Sequence, residues 1–564
     1  MTNLIEKVKM QITKVIKQAL QKAVETGNLP EIEVNEINLE VPREKQHGDF
    51  ATNIAMQITR QAKKAPRQIA EDLINHMNLE GIFIEKVEVA GPGFINFYLK
   101  NLWLYEVIPA IEAEGEDYGK VNIGNGQKVM VEFVSANPTG PMHMGNARGG
   151  ALGDCLASVL EWAGYNVTRE FYINDAGNQI EKFGRSLEAR YIQLLKGEDA
   201  VPFPEDGYHG EDIIDHMKEF IQLEGDKYLN VPSEERRQVL VKYALEKNIS
   251  KLKSDLENYG IKYDVWFRES SLYENHEVEE TINYLKEKGY TYEDEDALWF
   301  KATEFGAEKD EVLVRNNGIP TYFAADIAYH RNKFITRGFD KVIDIWGADH
   351  HGHVARMKGA MKAIGCDPER LEIIIMQLVR LFRNGEVARM SKRTGRSVTL
   401  SDLLEETSKD AARFFFNMRQ AGSHLDFDLD LSVSQSNDNP VFYVQYAHAR
   451  ICSIIRLLEE EGYKVQPASE INTSLLVQPE ELELLKKLAE LPEEIKLSAV
   501  TMEPSRMTRY LLDMAALFHS FYNACRVKVE DEQLMMARLK LIDCIRIVLK
   551  NVLHMLGISA PEKM

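Results

Sequence analysis

Apolar residues follow different rhythms in different parts of this chain. From residue 128, short apolar runs (VMVEFV, later KVIDIW) are each followed by a helical stretch (ALGDCLASVLEWAG, GHVARMKGAMKAIG). Strands alternating with helices predict an α/β fold with a doubly wound parallel sheet, a Rossmann-like domain over 120–430. Within it, residues from about 185 to 290 are highly charged and helical in pattern and read as an insertion. Before it, over 1–115, come an amphipathic helix, the turn PREKQHGDFATNIAM and the alternating IEKVEVAGPGFINFYL, which predict an α+β module. The acidic, glycine-bearing EGEDYGKVNIGNGQK between the two reads as a linker. From 431 to 564 the periodicity is helical throughout, which predicts an all-α bundle.

Composition narrows the function classes. A chain of 564 residues has ample material for several cores. Its formal net charge of -20 argues against a general polyanion binder, so any nucleic acid contact must use local basic patches. One stretch permits such contact: between 501 and 564 basic residues slightly outnumber acidic ones. Cys155, Cys366, Cys452, Cys525 and Cys544 are scattered and never spaced as CxxC, so neither a disulfide framework nor a zinc knuckle is expected. The lysine-bearing amino-terminal helix lacks a signal peptide's apolar run, and no stretch has the apolar length of a membrane span. A cytoplasmic monomer with no membrane partner is expected.

Three segments carry candidate chemistry. The first is SANPTGPMHMGNARGGA, which follows the strand VMVEFV and leads into a helix starting near Asn146. Helix amino ends present free N–H groups and partial positive charge, and His143 and Asn146 can add donors toward a phosphate. Gly145 would let a flat ring approach, while Gly149, Gly150, Ala151 and Gly153 would let the helix pack closely on the sheet. Alone, this segment reads as a turn with a capping Asn, and a second element is needed to make it a phosphate site. The second is WGADHHGH, where Gly347, Asp349 and His353 fall at a strand's carboxyl end, and a carboxylate there suits ribose hydroxyls. The alternative there is a metal site on His350, His351 and His353. The third, RMSKRTGRS, would by itself pass for a solvated basic loop. Two acids are also conspicuous. Glu132 sits inside an apolar strand, and Asp326 shares a helix face with Tyr322; ordinary salt bridges to Lys or Arg are the plain alternative for both.

Together these segments resemble class I aminoacyl-tRNA synthetases, with HMGN in place of HIGH and RMSKR in place of KMSKS. More narrowly, the chain is similar to the arginyl-tRNA synthetase family through SANPTGPMHMGNARGGALGD, FYINDAGNQI, YDVWFRES, TYFAADIAYH, GADHHGH, MSKRTG and NPVFYVQYAHAR. Two positions depart from the class pattern: Asn146 replaces a histidine, and Arg389 replaces a lysine that this family commonly lacks. The resemblance implies an ATP site on Pro138, Gly140, His143, Gly145, Asn146, Gly347, Asp349, His353, Met390, Ser391 and Lys392, with His143, Asn146 and Lys392 catalytic. It implies an arginine site on Glu132, Ser135, Asn137, Tyr322, Asp326 and His350, and tRNA contacts at Tyr443, Tyr446 and Arg450. ATP is implied as a substrate accompanied by Mg2+, arginine and tRNA(Arg) as partners, and no protein-ligated metal. The family uses the carboxyl-terminal bundle for the anticodon and the amino-terminal module for the outer corner of tRNA, where TRQAKKAPRQ supplies a basic patch. Two rivals stay open on the residues: a synthetase or nucleotidyl transferase for another substrate, and a noncatalytic tRNA-binding relative.

Overall fold

Five parallel strands run through the centre of the computed structural model, which describes residues 2–388 and 398–564. They are β1 (Lys128–Glu132), β2 (Asn166–Ile173), β3 (Val265–Arg268), β4 (Lys341–Gly347) and β5 (Leu371–Met376), in the order β5-β4-β1-β2-β3. Strand order reverses on either side of β1, which places a crevice at the carboxyl end of the central strands. β1 is buried on both faces, with Val129, Met130 and Val131 in the core, as expected of a strand whose apolar residues do not alternate with polar ones.

Helix α1 (Met144–Trp162) follows β1 and is buried on more than one face; Leu152, Leu156 and Leu160 pack in the core, and small residues bring its amino half close to the sheet. A Cβ at Gly153 would overlap the Phe133 ring, and one at Gly150 would lie 2.8 Å from Ile261 Cδ1. The insertion consists of α2 (Asn178–Lys196), α3 (Glu211–Glu224) and α4 (Ser233–Asn258). The chain returns to the sheet sooner than the sequence suggested, because β3 lies inside the span read as insertion. VWFR is too short and too charged at its end to announce a strand, and only its parallel pairing with β2 makes it one. The "linker" is also clamped: Tyr118 is 1% exposed and donates its hydroxyl proton to the Leu488 carbonyl at 2.9 Å.

The amino-terminal module packs a helix over Leu4–Glu25 beside a three-stranded antiparallel sheet (Phe50–Thr52, Ile84–Ala90, Phe94–Leu99). In the sheet domain α5 (Tyr322–Arg331) precedes β4, and α6 (His353–Ala363) and α7 (Lys409–Asn417) follow it. The carboxyl-terminal bundle is α8 (Pro440–Glu460), α9 (Pro479–Thr501), α10 (Ser505–Ala524) and α11 (Glu532–Met555). It is fastened to the sheet domain through the fully buried Arg413 of α7, which donates to the Leu556 carbonyl at 2.6 Å and to Asp154 Oδ2 of α1 at 2.5 Å. Among the described residues no helix is long and apolar enough to cross a membrane.

Candidate active site

The HMGN stretch forms the amino end of α1. His143 is its N-cap: its Nδ1 accepts from Gly145 N at 3.1 Å, while Asn146 Oδ1 accepts from His143 N at 3.2 Å. Both side chains are thereby oriented. With Nδ1 accepting, the ring proton sits on Nε2, and with Oδ1 occupied, Asn146 keeps its NH2 as donor. Gly145 serves this cap, because a Cβ there would lie 3.0 Å from His143 Cε1. Upstream, Val134 and Ser135 turn the chain with φ of 70° and 42°, a left-handed conformation costly for a β-branched residue. The same loop is tied to the chain just past RMSKR: His143 bridges Thr399, Met144 N donates to Val398 O at 3.0 Å, and Leu400 N donates to Met142 O at 2.9 Å. The HMGN loop is thus tied by backbone to Val398–Leu400, while Met390, Ser391 and Lys392 lie outside the described residues.

This loop forms one wall of a cavity of about 1880 Å3 above the sheet. Register sets a row of three carboxylates beneath it, since Glu132 of β1 lies beside Asp344 of β4 and Glu170 of β2. All three are buried. The cations come from the stretch after α5, where a π-helical turn over Asn332–Thr336 rotates Lys333 into the sheet. Lys333 Nζ bonds Glu132 Oε2 at 2.7 Å and Asp344 Oδ1 at 2.9 Å, His330 Nε2 meets Asp344 Oδ2 at 2.9 Å, and Arg337 takes Glu170 in a two-point pair. Burial favours the neutral form of Glu132 and Asp344; Lys333 and His330 nevertheless hold Asp344 below the usual carboxylate range, while Glu132 is left raised. Glu132 therefore has a buried lysine partner, the plain alternative in the sequence. It still lines the cavity and accepts from Ser135 Oγ at 2.8 Å.

Beyond that row the cavity holds two further acids, Asp326 and Glu269. Asp326 on α5 has His353 Nε2 at 3.1 Å, and His353 is turned inward, away from the other histidines. Among the described residues no group of three or more His, Cys, Asp or Glu is arranged to hold a metal ion. Glu269, directly after β3, also lines the cavity; Tyr172 hydrogen-bonds it, and the Asn174 amide, oriented to satisfy both its ends, donates to Oε2 at 2.9 Å. Burial, reinforced by the charge of Asp326, pushes the Glu269 carboxyl up to about 7. Among the described residues neither Glu269 nor Asp326 pairs with Lys or Arg. Sequence reasoning passed over Glu269, although YDVWFRES contains it. It also passed over Glu170 and Asp344, which carry the signal that singled out Glu132: one acid inside an apolar strand run.

The remaining expected residues fall as follows. Asn137, Pro138, Gly140, Tyr322, Gly347, Asp349 and His350 reach the same cavity, apart from Pro138, whose carbonyl is held by Asn248 of α4. Tyr322, Asp349 and His350 are exposed at its rim. Far from it on the bundle, Tyr443 and Tyr446 flank His519 with ring centroids 4.7 and 6.1 Å away, and the Arg450 guanidinium lies 3.8 Å from the Tyr522 ring centroid.

Comparison with known proteins agrees with this geometry. Residues 107–422 match the model for the catalytic domain of class I (R) tRNA synthetases, so the sheet domain defines a class I aminoacyl-tRNA synthetase. Residues 10–99 match the arginyl-tRNA synthetase amino-terminal domain, and residues 444–564 match the DALR anticodon-binding domain. The chain belongs to the arginyl-tRNA synthetase family. It is 67% identical to the arginine–tRNA ligase of Acetivibrio thermocellus and 65% identical to that of Ruminiclostridium cellulolyticum, in each case over the whole of both chains. A solved structure from Campylobacter jejuni, described as a putative arginyl-tRNA synthetase, is 34% identical with a TM-score of 0.75, covering 83% of this chain and 100% of the other. The Thermus thermophilus arginyl-tRNA synthetase shares the fold, with a TM-score of 0.72 at 22% identity, covering 98% of this chain and 100% of the other.

Proposed function

We propose that this chain joins arginine to tRNA(Arg) in two steps. The arginine carboxylate, ionised at neutral pH without help from a base, attacks the α-phosphorus of ATP and expels pyrophosphate. A ribose hydroxyl at the tRNA 3′ end then attacks the activated carbonyl and releases AMP. The protein's task in the first step is positioning and charge neutralisation. His143 Nε2–H, the Asn146 amide and the amino end of α1 hold phosphates, with Lys392 neutralising charge toward pyrophosphate, and Mg2+ enters on the ATP phosphates. Gly347 and Asp349 take the nucleoside. Asp326, Tyr322 and Glu269 take the guanidinium, while Ser135, Asn137 and Glu132 face the backbone end of arginine. The proposed division of labour is 1–115 and 431–564 for tRNA, the latter through Tyr443, Tyr446 and Arg450, and 120–430 for chemistry.

The observation that carries this reading is the pair of acids Glu269 and Asp326, neither paired with Lys or Arg among the described residues, in the same cavity as a phosphate-type helix amino end. A ligand with a cation at one end and a phosphate at the other fits both. Arginine-dependent ATP–pyrophosphate exchange, with and without tRNA, followed by charging of each purified tRNA species, tests it. Exchange driven by lysine or glutamate and not by arginine would overturn it.

A further inference from the structure

The insertion carries its own hydrophobic core, in which Phe183, Met217 and Leu240 meet, and this core extends along α4 as far as Leu245. One turn on, Ile249, Leu252 and Leu256 of the same helix belong to the main core under the sheet. Asn248 stands at this seam and is 7% exposed. Its side chain turns away from its own helix. Nδ2 donates to the Pro138 carbonyl at 2.8 Å, and Oδ1 lies 2.8 Å from His216 Nε2 on α3. The Pro138 carbonyl can only accept and so can Asn248 Oδ1, so the amide has one orientation and His216 must supply an N–H. Pro138 has no N–H of its own, which leaves its carbonyl as the one backbone group by which it can be held. Between Ser135 and Met142, Asn248 is the only hydrogen-bond anchor on the phosphate loop among the described residues.

We propose that Asn248, oriented by His216, is a positioning residue for ATP: through the Pro138 carbonyl the helical insertion fixes the loop that carries His143. The strained turn at Val134 and Ser135 makes such an anchor necessary, because a loop entered through left-handed residues relaxes once its far side is released. Asn248 touches neither substrate nor reacting atoms; its loss should act most on ATP, through the loop that carries His143, and less on arginine, which meets the same loop only at Ser135 and Asn137.

The inference rests on the adenylation reading above, and arginine-dependent ATP–pyrophosphate exchange by the wild-type chain in the presence of tRNA(Arg) checks that first; absence of exchange there would sink the adenylation reading and this proposal with it. Asn248→Asp keeps the shape and replaces the donor with an oxygen facing the Pro138 carbonyl. It should raise KM for ATP about tenfold or more, and raise KM for arginine several-fold less than that. His216→Ala should give the same split at smaller size, and His216→Gln, which retains an N–H donor, should restore it. This second pair decides the matter if Asn248→Asp does not fold. An unchanged KM for ATP in these variants, or a parallel rise in both KM values, would overturn the proposal.

Discussion

With its carboxyl pushed up to about 7 by burial and by Asp326, Glu269 carries a proton part of the time at neutral pH. A guanidinium binds only the ionised form, so arginine affinity should rise as pH increases through about 7 and level off above it. Glu269→Gln should remove that slope between pH 6 and 8 and raise KM for arginine by roughly two orders of magnitude, measured by exchange at saturating ATP. Its effect on stability runs the other way. A carboxyl whose folded value is raised stabilises the fold below the usual carboxyl range and loses that contribution as pH rises through the folded value. Glu269→Gln should therefore make the free protein more stable above pH 7, by about 2 kcal/mol in denaturant titration.

Asn146 is a second residue-scale case. Its oxygen closes the cap on His143 and its NH2 remains free for phosphate, so Asn146→His, which can also accept through one ring nitrogen and donate through the other, should keep exchange activity within a few fold. Asn146→Ala should lose the cap and raise KM for ATP. What the sequence could tell differs sharply between residues here. For His143, Asn146, Tyr322 and Asp326, helix spacing predicts a shared end or face, and the family resemblance supplies the site they are assigned to. Lys333 was not legible, since its inward aim depends on a π-helical turn that no periodicity announces. His353 was expected at the nucleotide, and only the fold shows it turned toward Asp326.

At the scale of elements, α1 has two kinds of glycine, and they should fail differently. Gly153 faces Phe133, where an added Cβ would overlap the ring, so Gly153→Ala should force the helix off β1 and cost about 1–3 kcal/mol of stability. Gly145 sits in the cap, where an added Cβ presses on His143 at 3.0 Å; Gly145→Ala should lower exchange activity by tenfold or more while shifting the unfolding midpoint little. Thermal denaturation paired with exchange assays separates the two. The alternation of strand and helix, and with it the sheet domain, could be read directly from apolar rhythm. The place where the insertion rejoins the sheet could not, because β3 owes its identity to the neighbouring strand and not to its own four residues.

Across the whole molecule, one buried side chain joins the parts. Arg413 reaches α1 through Asp154 and the end of the bundle through the Leu556 carbonyl, while Gly557 packs on its guanidinium. Removing it strands a buried carboxylate that retains only Arg169, at 3.0 Å. Arg413→Met should cost about 3–5 kcal/mol and split calorimetric unfolding into two transitions, the bundle melting apart from the sheet domain.

The unmatched acids of the cavity give the protein an unusual relation to a common denaturant. Guanidinium chloride at a few millimolar is far too dilute to unfold anything, yet its cation is the head group that Glu269 and Asp326 are proposed to bind. A ligand of the native state alone raises stability by mass action, about 1 kcal/mol once it exceeds Kd several-fold. The melting temperature should therefore rise at first with guanidinium chloride and fall only at higher concentration, whereas equal sodium chloride or urea should give no such rise. In Glu269→Gln the initial rise should disappear, leaving a salt that only denatures.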